Sequence, residues 1–496
     1  MIEAWSTADV YAAEGALMAT LEEGELMARA VAGLASVAAA RLAERDGSRV
    51  VALVGPGNNG GDALYAAARL AEAGVATAAV RHPDRVHAGA LADAEAAGVL
   101  ITAGDDPHGL ARIADADVVL DGILGIGGKP GLPDWARPWV DAIPDDAHVI
   151  AVDLPSGQDP AGHVLDPDGV FADETVTFSV AKPVHLLPPT EQAVGRLTVV
   201  DIGLHVDAVP AVRRLTHDDV AEVWPVPGPT DDKYSRGVLG VVAGGEGYTG
   251  APLLTCLSAV ESGVGMVRYV GTPGPAAVVR QAVPEAVHGV GQVQAWAIGP
   301  GLDVDATGPE ASAQLAAARD ALASDLPVLL DAGGLDLLSG PRTAPTLLTP
   351  HAGECARLLQ HVALWPGHEG QEGLDGVDRS AVEADPVTHA RLLAAATGAT
   401  VLLKGATTVV APADPDAPVW SQADAPPWLA TAGAGDVLAG LAGTLLAAGL
   451  APDLAGALAA LVHGVAADRA NPGGPVRALA VAHGIPGTVA QLLRRA

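Results

Sequence analysis

Cysteine is nearly absent: Cys256 and Cys355 are the only two in 496 residues, they stand far apart, and no Cys/His cluster adjoins either. That excludes a disulfide scaffold and a structural zinc site, and it fits a reduced cytosol in which each thiol is simply buried. Positive charge is scarce as well. Lysine occurs only at Lys129, Lys182, Lys233 and Lys404, arginine supplies the other 24 of the 28 cations, and 59 acids leave a formal net charge of −31. Such an excess argues against nucleic acid or an anionic membrane surface as a partner. The opening Met1-Ile2-Glu3-Ala4-Trp5 shows no basic region ahead of an apolar run, so no secretory signal is evident and a cytoplasmic location is expected. Long apolar runs are missing too. The mean hydropathy of +0.30 reflects alanine and valine, and the longest charge-free candidate, Val437 to Pro452, has 16 residues with several glycines. That is too short to span about 30 Å of hydrocarbon.

What is present is length, and glycine at regular places. A chain this long exceeds one hydrophobic core, so two or three domains are expected from length. Ser6 to about Glu44 has helical spacing, with Gly24 as the interruption between two helices. Val50–Val54 is a short apolar run of the kind a buried parallel strand shows, and it ends in Gly55-Pro56-Gly57-Asn58-Asn59-Gly60-Gly61-Asp62 before a helical pattern from Ala63 to Ala73. A glycine-rich turn between strand and helix is the usual phosphate site of a doubly wound sheet. Gly55-x-Gly57-x-x-Gly60 matches the dinucleotide spacing, but the asparagines and the aspartate add donors and acceptors that a simple cofactor loop does not need; a tight turn without a ligand is the plain alternative. Two more loops follow strand-like runs: Asp121 with Gly122 to Gly131, and Asp153-Leu154-Pro155-Ser156-Gly157. These loops bring Asn59, Asp121, Asp153 and Ser156 to one sheet edge, where oxygen ligands could hold a hard cation, although each acid alone would more often cap a helix.

Periodicity fades from His205 to Asp232, where Pro210, Pro225, Pro227 and Pro229 gather, and the domain boundary is placed near Arg214. The second half repeats the theme of strand, glycine turn and helix with a different sequence, so the halves are two domains rather than a duplication. Its loops at strand ends include Gly244 to Ala251, Gly299-Pro300-Gly301, Asp331-Ala332-Gly333, Thr349-Pro350-His351 with Glu354, and Lys404-Gly405-Ala406-Thr407-Thr408. The stretch 365–385 falls outside them, with no role assigned. Thr431-Ala432-Gly433-Ala434-Gly435-Asp436 then leads into an apolar helix. Free backbone N–H groups and the helix dipole favour an anion there. A carboxylate at that point could take a proton from a hydroxyl that attacks a phosphoryl group, or could merely cap the helix.

The residues Gly57 to Asp62, Asp121 with its glycine loop, Asp153 to Gly157 and Lys182 resemble the NAD(P)H-hydrate epimerase domain. The resemblance implies that Asn58, Asn59, Gly60, Gly61, Asp62, Gly125, Ile126, Gly127, Gly128, Lys129, Pro130, Gly131 and Asp153 contact the hydrated nucleotide. It further implies that Asn59, Asp121 and Ser156 ligate potassium and that Asp153 is the acid/base group. Ala63 stands where that family commonly has glycine. Lys233-Tyr234, Gly244 to Ala251, Gly299 to Gly301, Thr349 to His351, Lys404-Gly405 and Gly433 to Gly440 resemble the ADP- or ATP-dependent NAD(P)H-hydrate dehydratases of the ribokinase-like superfamily. By that resemblance Ala251, Gly301, His351 and Asp436 face the hydrate, Lys404, Gly405, Ala406, Thr407, Thr408 and Gly435 hold ADP or ATP, magnesium accompanies the nucleotide, and Asp436 is the base. Ala434 replaces a frequent threonine.

The expectation is therefore an α/β chain: a Rossmann-like three-layer epimerase domain at 1–214, then a ribokinase-like dehydratase domain at 215–496. It acts on small molecules without nucleic acid or membrane, as a homo-oligomer. One rival is a small-metabolite kinase fused to a Rossmann-like binding domain, since sugar kinases also read Gly-Ala-Gly-Asp. Another is a binding protein whose first domain has lost catalysis.

Overall fold

The computed structural model describes residues 1–368, 373–374 and 376–494. Its chain forms two compact units, one of Glu3–Val212 and one of Arg213–Ala496 together with Met1–Ile2. In the first, seven strands form one parallel sheet in the order Leu100–Ala103, Ala76–Arg81, Arg49–Val54, Val118–Gly122, His148–Val152, Glu174–Phe178 and Arg196–Val200. Both faces are covered. Val50, Ala52 and Val54 join one apolar layer with the helices Glu25–Glu44 and Asn58–Glu72, while Val51 and Leu53 join a second layer with Ile113 and Trp139. Side chains alternate along a strand, so burial of both faces explains why this run carries no polar residue after Arg49. The strand order reverses beside Arg49–Val54, which opens a crevice at the carboxyl ends of the strands.

Two helices do occupy Thr7–Met18 and Glu25–Glu44, and Gly24 divides them with φ +83°. By length and composition Glu25–Glu44 could cross a membrane, with a hydropathy of 1.4. Instead its Ala30, Val31, Leu34, Ala35, Ala38 and Leu42 face is buried, and Arg41 pairs with the buried Glu174. The helix after the first glycine turn begins at Asn58, not at Ala63. The asparagine pair therefore forms its first turn rather than the loop before it.

In the second unit the sheet runs Val419–Gln422, Thr408–Ala411, Thr400–Leu403, Thr346–Leu348, Val328–Leu330, Ala295–Ile298, Val238–Val242, Met266–Val270, Val287–His288. All neighbours from Thr400–Leu403 onward are parallel, and the two strands before it are antiparallel. Thr408 thus opens a strand, opposite Gln422, instead of closing a loop. Of the stretch 365–385, residues 369–372 and 375 lie outside the described residues; Arg379–Ala384 is a helix.

Two helices, Gly250–Glu261 and Ala434–Ala447, lie side by side and run the same way. Leu254 lies against Gly433, Ser258 Oγ donates to the Val437 carbonyl at 2.6 Å, and Thr444 Oγ1 donates to that of Ala259 at 3.3 Å. Gly440 makes the approach possible, because a Cβ there would lie 2.2 Å from the Thr255 carbonyl oxygen. Gly440→Val is expected to destabilise the second unit by about 1–3 kcal/mol or more through overpacking, read as weaker hydrogen-exchange protection over residues 213–494. Unchanged protection there would show that the helices can separate without cost.

Candidate active sites

In the first unit the strand ends surround a cavity of 360 Å³. A Cβ on Gly60 would lie 2.2 Å from the Gly55 carbonyl oxygen, so only glycine lets the helix start fold back this tightly on the strand end. Asn58, Asn59 and Asp62 line the cavity from that turn, Gly125, Ile126, Gly127 and Gly128 from the second glycine loop, and Asp153 from the third. Gly60 and Gly61 lie buried in the helix's first turn. Lys129, Pro130 and Gly131 are exposed and stand outside the lining. Ala63 is fully buried and faces Gly122, a packing position.

Asn59, Asp121 and Ser156 are brought together. Asn59 Nδ2 donates to the Leu124 carbonyl at 2.6 Å, Ser156 Oγ donates to Asp121 Oδ1 at 2.6 Å, and the Ser156 N–H donates to Asp121 Oδ2 at 2.8 Å. The Ile123 N–H adds a bond of 3.2 Å. Asp121 is wholly buried and its hydrogen-bond donors are all neutral, so burial lifts its pKa to about 6 despite them. A buried carboxylate beside amide, hydroxyl and carbonyl oxygens is a donor set that suits a hard cation of low charge. Among the described residues no group of three His, Cys, Asp or Glu could hold a metal ion.

Asp153 sits at φ +67°, a conformation rare outside glycine. Its Oδ1 accepts from Thr177 Oγ1 at 3.0 Å and from the ammonium of the buried Lys182, which also donates to Thr177 Oγ1 at 2.9 Å. His185 Nδ1 accepts the Lys182 N–H at 3.0 Å, so Nε2 carries the proton offered to the Asp153 carbonyl oxygen at 2.8 Å. Burial, aided by Lys182, lowers the His185 pKa to about 4 and keeps the ring neutral. These contacts over-determine the strained residue. Tyr11 and Glu14, unmarked by any motif, reach the cavity from helix Thr7–Met18. Burial raises the pKa of Glu14, Lys182 opposes the rise and Asp153 adds to it. Three residues apart, Tyr11 and Glu14 share a helix face, but a tyrosine and a glutamate on such a helix are ordinary in a sequence.

In the second unit the parallel helices Gly250–Glu261 and Ala434–Ala447 direct two N-termini to one end, where their dipoles favour an anion. Among the described residues the N–H groups of Gly435 and Asp436 have no backbone acceptor. Lys404 Nζ lies 2.8 Å from Asp331 Oδ1, 3.7 Å from Glu354 Oε2, and 3.4 Å from where a Cβ on Gly435 would be. Thr349 Oγ1 donates to the same Asp331 oxygen at 2.9 Å. Burial opposes the Lys404 charge, but Asp331 and Glu354 outweigh it and raise the pKa. Burial first, then Asp331, raise that of Asp436 to about 7 against the pull of Lys404.

Lys404, Gly435 and Asp436 therefore share one site, and Asp331 and Glu354, which the sequence placed only at strand ends, complete its charge. Ala251 and Gly301 pack together, since a Cβ on Gly301 would lie 2.8 Å from that of Ala251. Gly405 and Ala406 are exposed at the hairpin turn, with Thr407 and Thr408 half-buried after them. His351 is exposed and caps helix Ala352–Val362, its Nδ1 accepting from the Gly353 and Glu354 N–H groups at 3.1 and 3.2 Å. Its backbone bridges to Lys404, which keeps it at the site's rim. Ala434 is buried at the helix start.

A doubly wound unit with a carboxyl-lined cavity, joined to a unit with a lysine, a carboxylate and two helix N-termini at one anion site, defines a two-centre α/β enzyme. Residues 239–480 match the family described as NAD(P)H-hydrate dehydratase, and residues 23–184 match that described as YjeF-related protein N-terminus. A protein of Mycobacterium leprae named bifunctional NAD(P)H-hydrate repair enzyme Nnr is 43% identical over 489 residues, covering 95% of this chain and 94% of its own. Its namesake from Mycobacterium tuberculosis strain CDC 1551 is 44% identical over 467 residues, covering 90% and 89%. A solved ADP/ATP-dependent NAD(P)H-hydrate dehydratase of Bacillus subtilis, co-crystallised with ATP/Mg2+, is 27% identical with a TM-score of 0.46, and the match covers 57% of this chain and 98% of that one. The chain belongs to the family of bifunctional NAD(P)H-hydrate repair enzymes.

Proposed function

We infer that the chain repairs hydrated NADH and NADPH with both units: residues 1–214 interconvert the R and S hydrates, and residues 215–496 dehydrate the S hydrate with ADP or ATP. The observation that carries this reading is the end-to-end match to relatives named bifunctional NAD(P)H-hydrate repair enzymes, in a chain with a separate candidate site in each unit. In the second unit Asp436 takes the proton of the substrate hydroxyl, whose oxygen bonds to the terminal phosphorus of the nucleotide while the bond from that phosphorus to its bridging oxygen breaks, releasing AMP from ADP or ADP from ATP. The N–H groups of Gly435 and Asp436 and the Lys404 ammonium steady the charge that develops on that phosphoryl group. Phosphate, unlike hydroxide, departs readily, and loss of a ring proton restores the reduced nicotinamide. Asp331 and Glu354 hold Lys404 in place and are the carboxylates available to magnesium, which supplies positive charge to the nucleotide phosphates when bound.

In the first unit Asn59, Asp121 and Ser156 would hold potassium, which would supply a fixed positive charge beside them. Asp121→Asn is expected to abolish any potassium stimulation of epimer exchange while dehydration continues, as rates measured across potassium concentrations would show; unchanged stimulation would move the cation elsewhere. The protein is further taken to work in the cytoplasm as a homo-oligomer, which light scattering on the purified chain tests for assembly. The decisive assay supplies mixed hydrates and ADP or ATP, and follows recovery of the reduced-nicotinamide absorbance. Complete recovery requires both activities, half-recovery loses the epimerase, and none favours a small-metabolite kinase.

A further inference from the structure

Water added across the ring double bond next to the ring nitrogen of a reduced nicotinamide leaves the hydroxyl on a carbon bonded to that nitrogen. Inverting this carbon by exchange of the hydroxyl breaks the C–O bond. A proton delivered to the oxygen lets it leave as water with the bonding pair, while the nitrogen lone pair forms a C=N bond. Water then adds to the other face, the C=N pair returns to nitrogen, and the added water gives up a proton. The sequence of steps needs one acid and one base that start in opposite protonation states.

We propose that Asp62 is the acid that protonates the departing hydroxyl in epimerisation, with Asp153 the base that takes the proton of the incoming water. The assignment rests on the epimerase function proposed above. Asp62 lines the cavity from the first turns of helix Asn58–Glu72, and Asp153 lines it from the loop after strand His148–Val152. Their environments differ in the required sense. Asp153 is bound to the Lys182 ammonium and the Thr177 hydroxyl, partners that suit a carboxylate. Among the described residues the Asp62 side chain has no hydrogen bond or ion pair: its Oδ1 is buried without a partner, an arrangement that is costly for a carboxylate and much cheaper for a neutral acid. Burial, then the charges of Asp153 and Glu14, raise its pKa to about 8. Among the described residues Tyr11, Glu14 and Asp153 share this cavity with Asp62, and Lys182 and His185 stand behind Asp153. Glu14 lines the same cavity; after each inversion Asp153 gives its proton to solvent and Asp62 regains one from it, leaving no net proton consumed.

Full-length Asp62→Asn, supplied with the pure R hydrate, is expected to lose about 100- to 10,000-fold in kcat for epimer exchange. Its dehydration of the S hydrate should equal wild type, which certifies the fold, and Asp62→Glu should recover part of the lost rate. Wild-type exchange should fall as pH rises through about 8, where the acid is lost, and product formed in heavy-oxygen water should carry the label. Asp62→Asn exchanging at the wild-type kcat, a loss confined to KM, or unlabelled product would each overturn the assignment. A wild-type protein that leaves the epimers unexchanged would overturn the epimerase reading itself, and the acid role with it.

Discussion

Asp436→Asn is expected to lower nucleotide-dependent dehydration by about 100- to 10,000-fold, the range a positioned general base contributes, with epimer exchange in the first unit untouched. The substitution keeps the size of the side chain and the helix start, so nucleotide affinity should change little and the loss should appear in kcat. Asp436 must be ionised to act. Its pKa is raised to about 7, so wild-type kcat should rise with pH through that value and level off above it. In the variant the rise should vanish together with the rate. Dehydration kinetics at saturating ADP or ATP across pH would check both points. A variant that kept the wild-type rate would leave Asp436 with the role of a helix-start residue and move the base elsewhere.

Asp331 tunes this group as well as positioning Lys404, being the largest charge that pushes the Asp436 pKa up. Asp331→Asn should therefore shift the pH rise to lower values. It also removes a counter-charge from Lys404, so phosphate affinity is expected to change in the same variant, and separate fits of kcat and KM would divide the two effects. A pH rise that stayed in place would show that burial alone sets the Asp436 pKa.

Legibility followed the chemistry of the chain. Strands buried on both faces, such as Val50–Val54 and Val401–Leu403, read directly as apolar runs, and the glycine turns after them were visible because backbone crowding at Gly60 tolerates nothing larger. Asn59, Asp121 and Ser156 could be grouped because parallel strands deliver their following loops to one edge. The hairpin Thr408–Gln422 was not legible, since two short antiparallel strands next to a phosphate-type loop resemble more loop. Glu14 and Tyr11 were not legible either: they come from a helix on which Val10 is buried, so no apolar stripe points at the cavity. Lysine scarcity was a better guide. Lys182 and Lys404 both hold a carboxylate of a candidate site, Asp153 and Asp331, while Lys129 is exposed.

Lys182→Met should destabilise the first unit by about 3–5 kcal/mol, because it breaks a buried ion pair from one side and leaves Asp153 without its counter-charge. Methionine replaces the aliphatic stem, so the cost lies in the charge and not in a cavity. Thr177 Oγ1 cannot compensate; it now serves both partners and would keep a single bond to Asp153. Since the chain has two units, a single melting temperature would mix them, and hydrogen exchange over Glu3–Val212 is the appropriate measurement. Adding Asp153→Asn to Lys182→Met should return most of the lost protection, as a neutral amide no longer needs the ammonium. Epimer exchange should stay lost in the double variant, for the carboxylate proposed as base is gone. Full protection in the single variant would mean that Lys182 does not stabilise Asp153, and exchange activity in the double variant would mean that Asp153 is not the base.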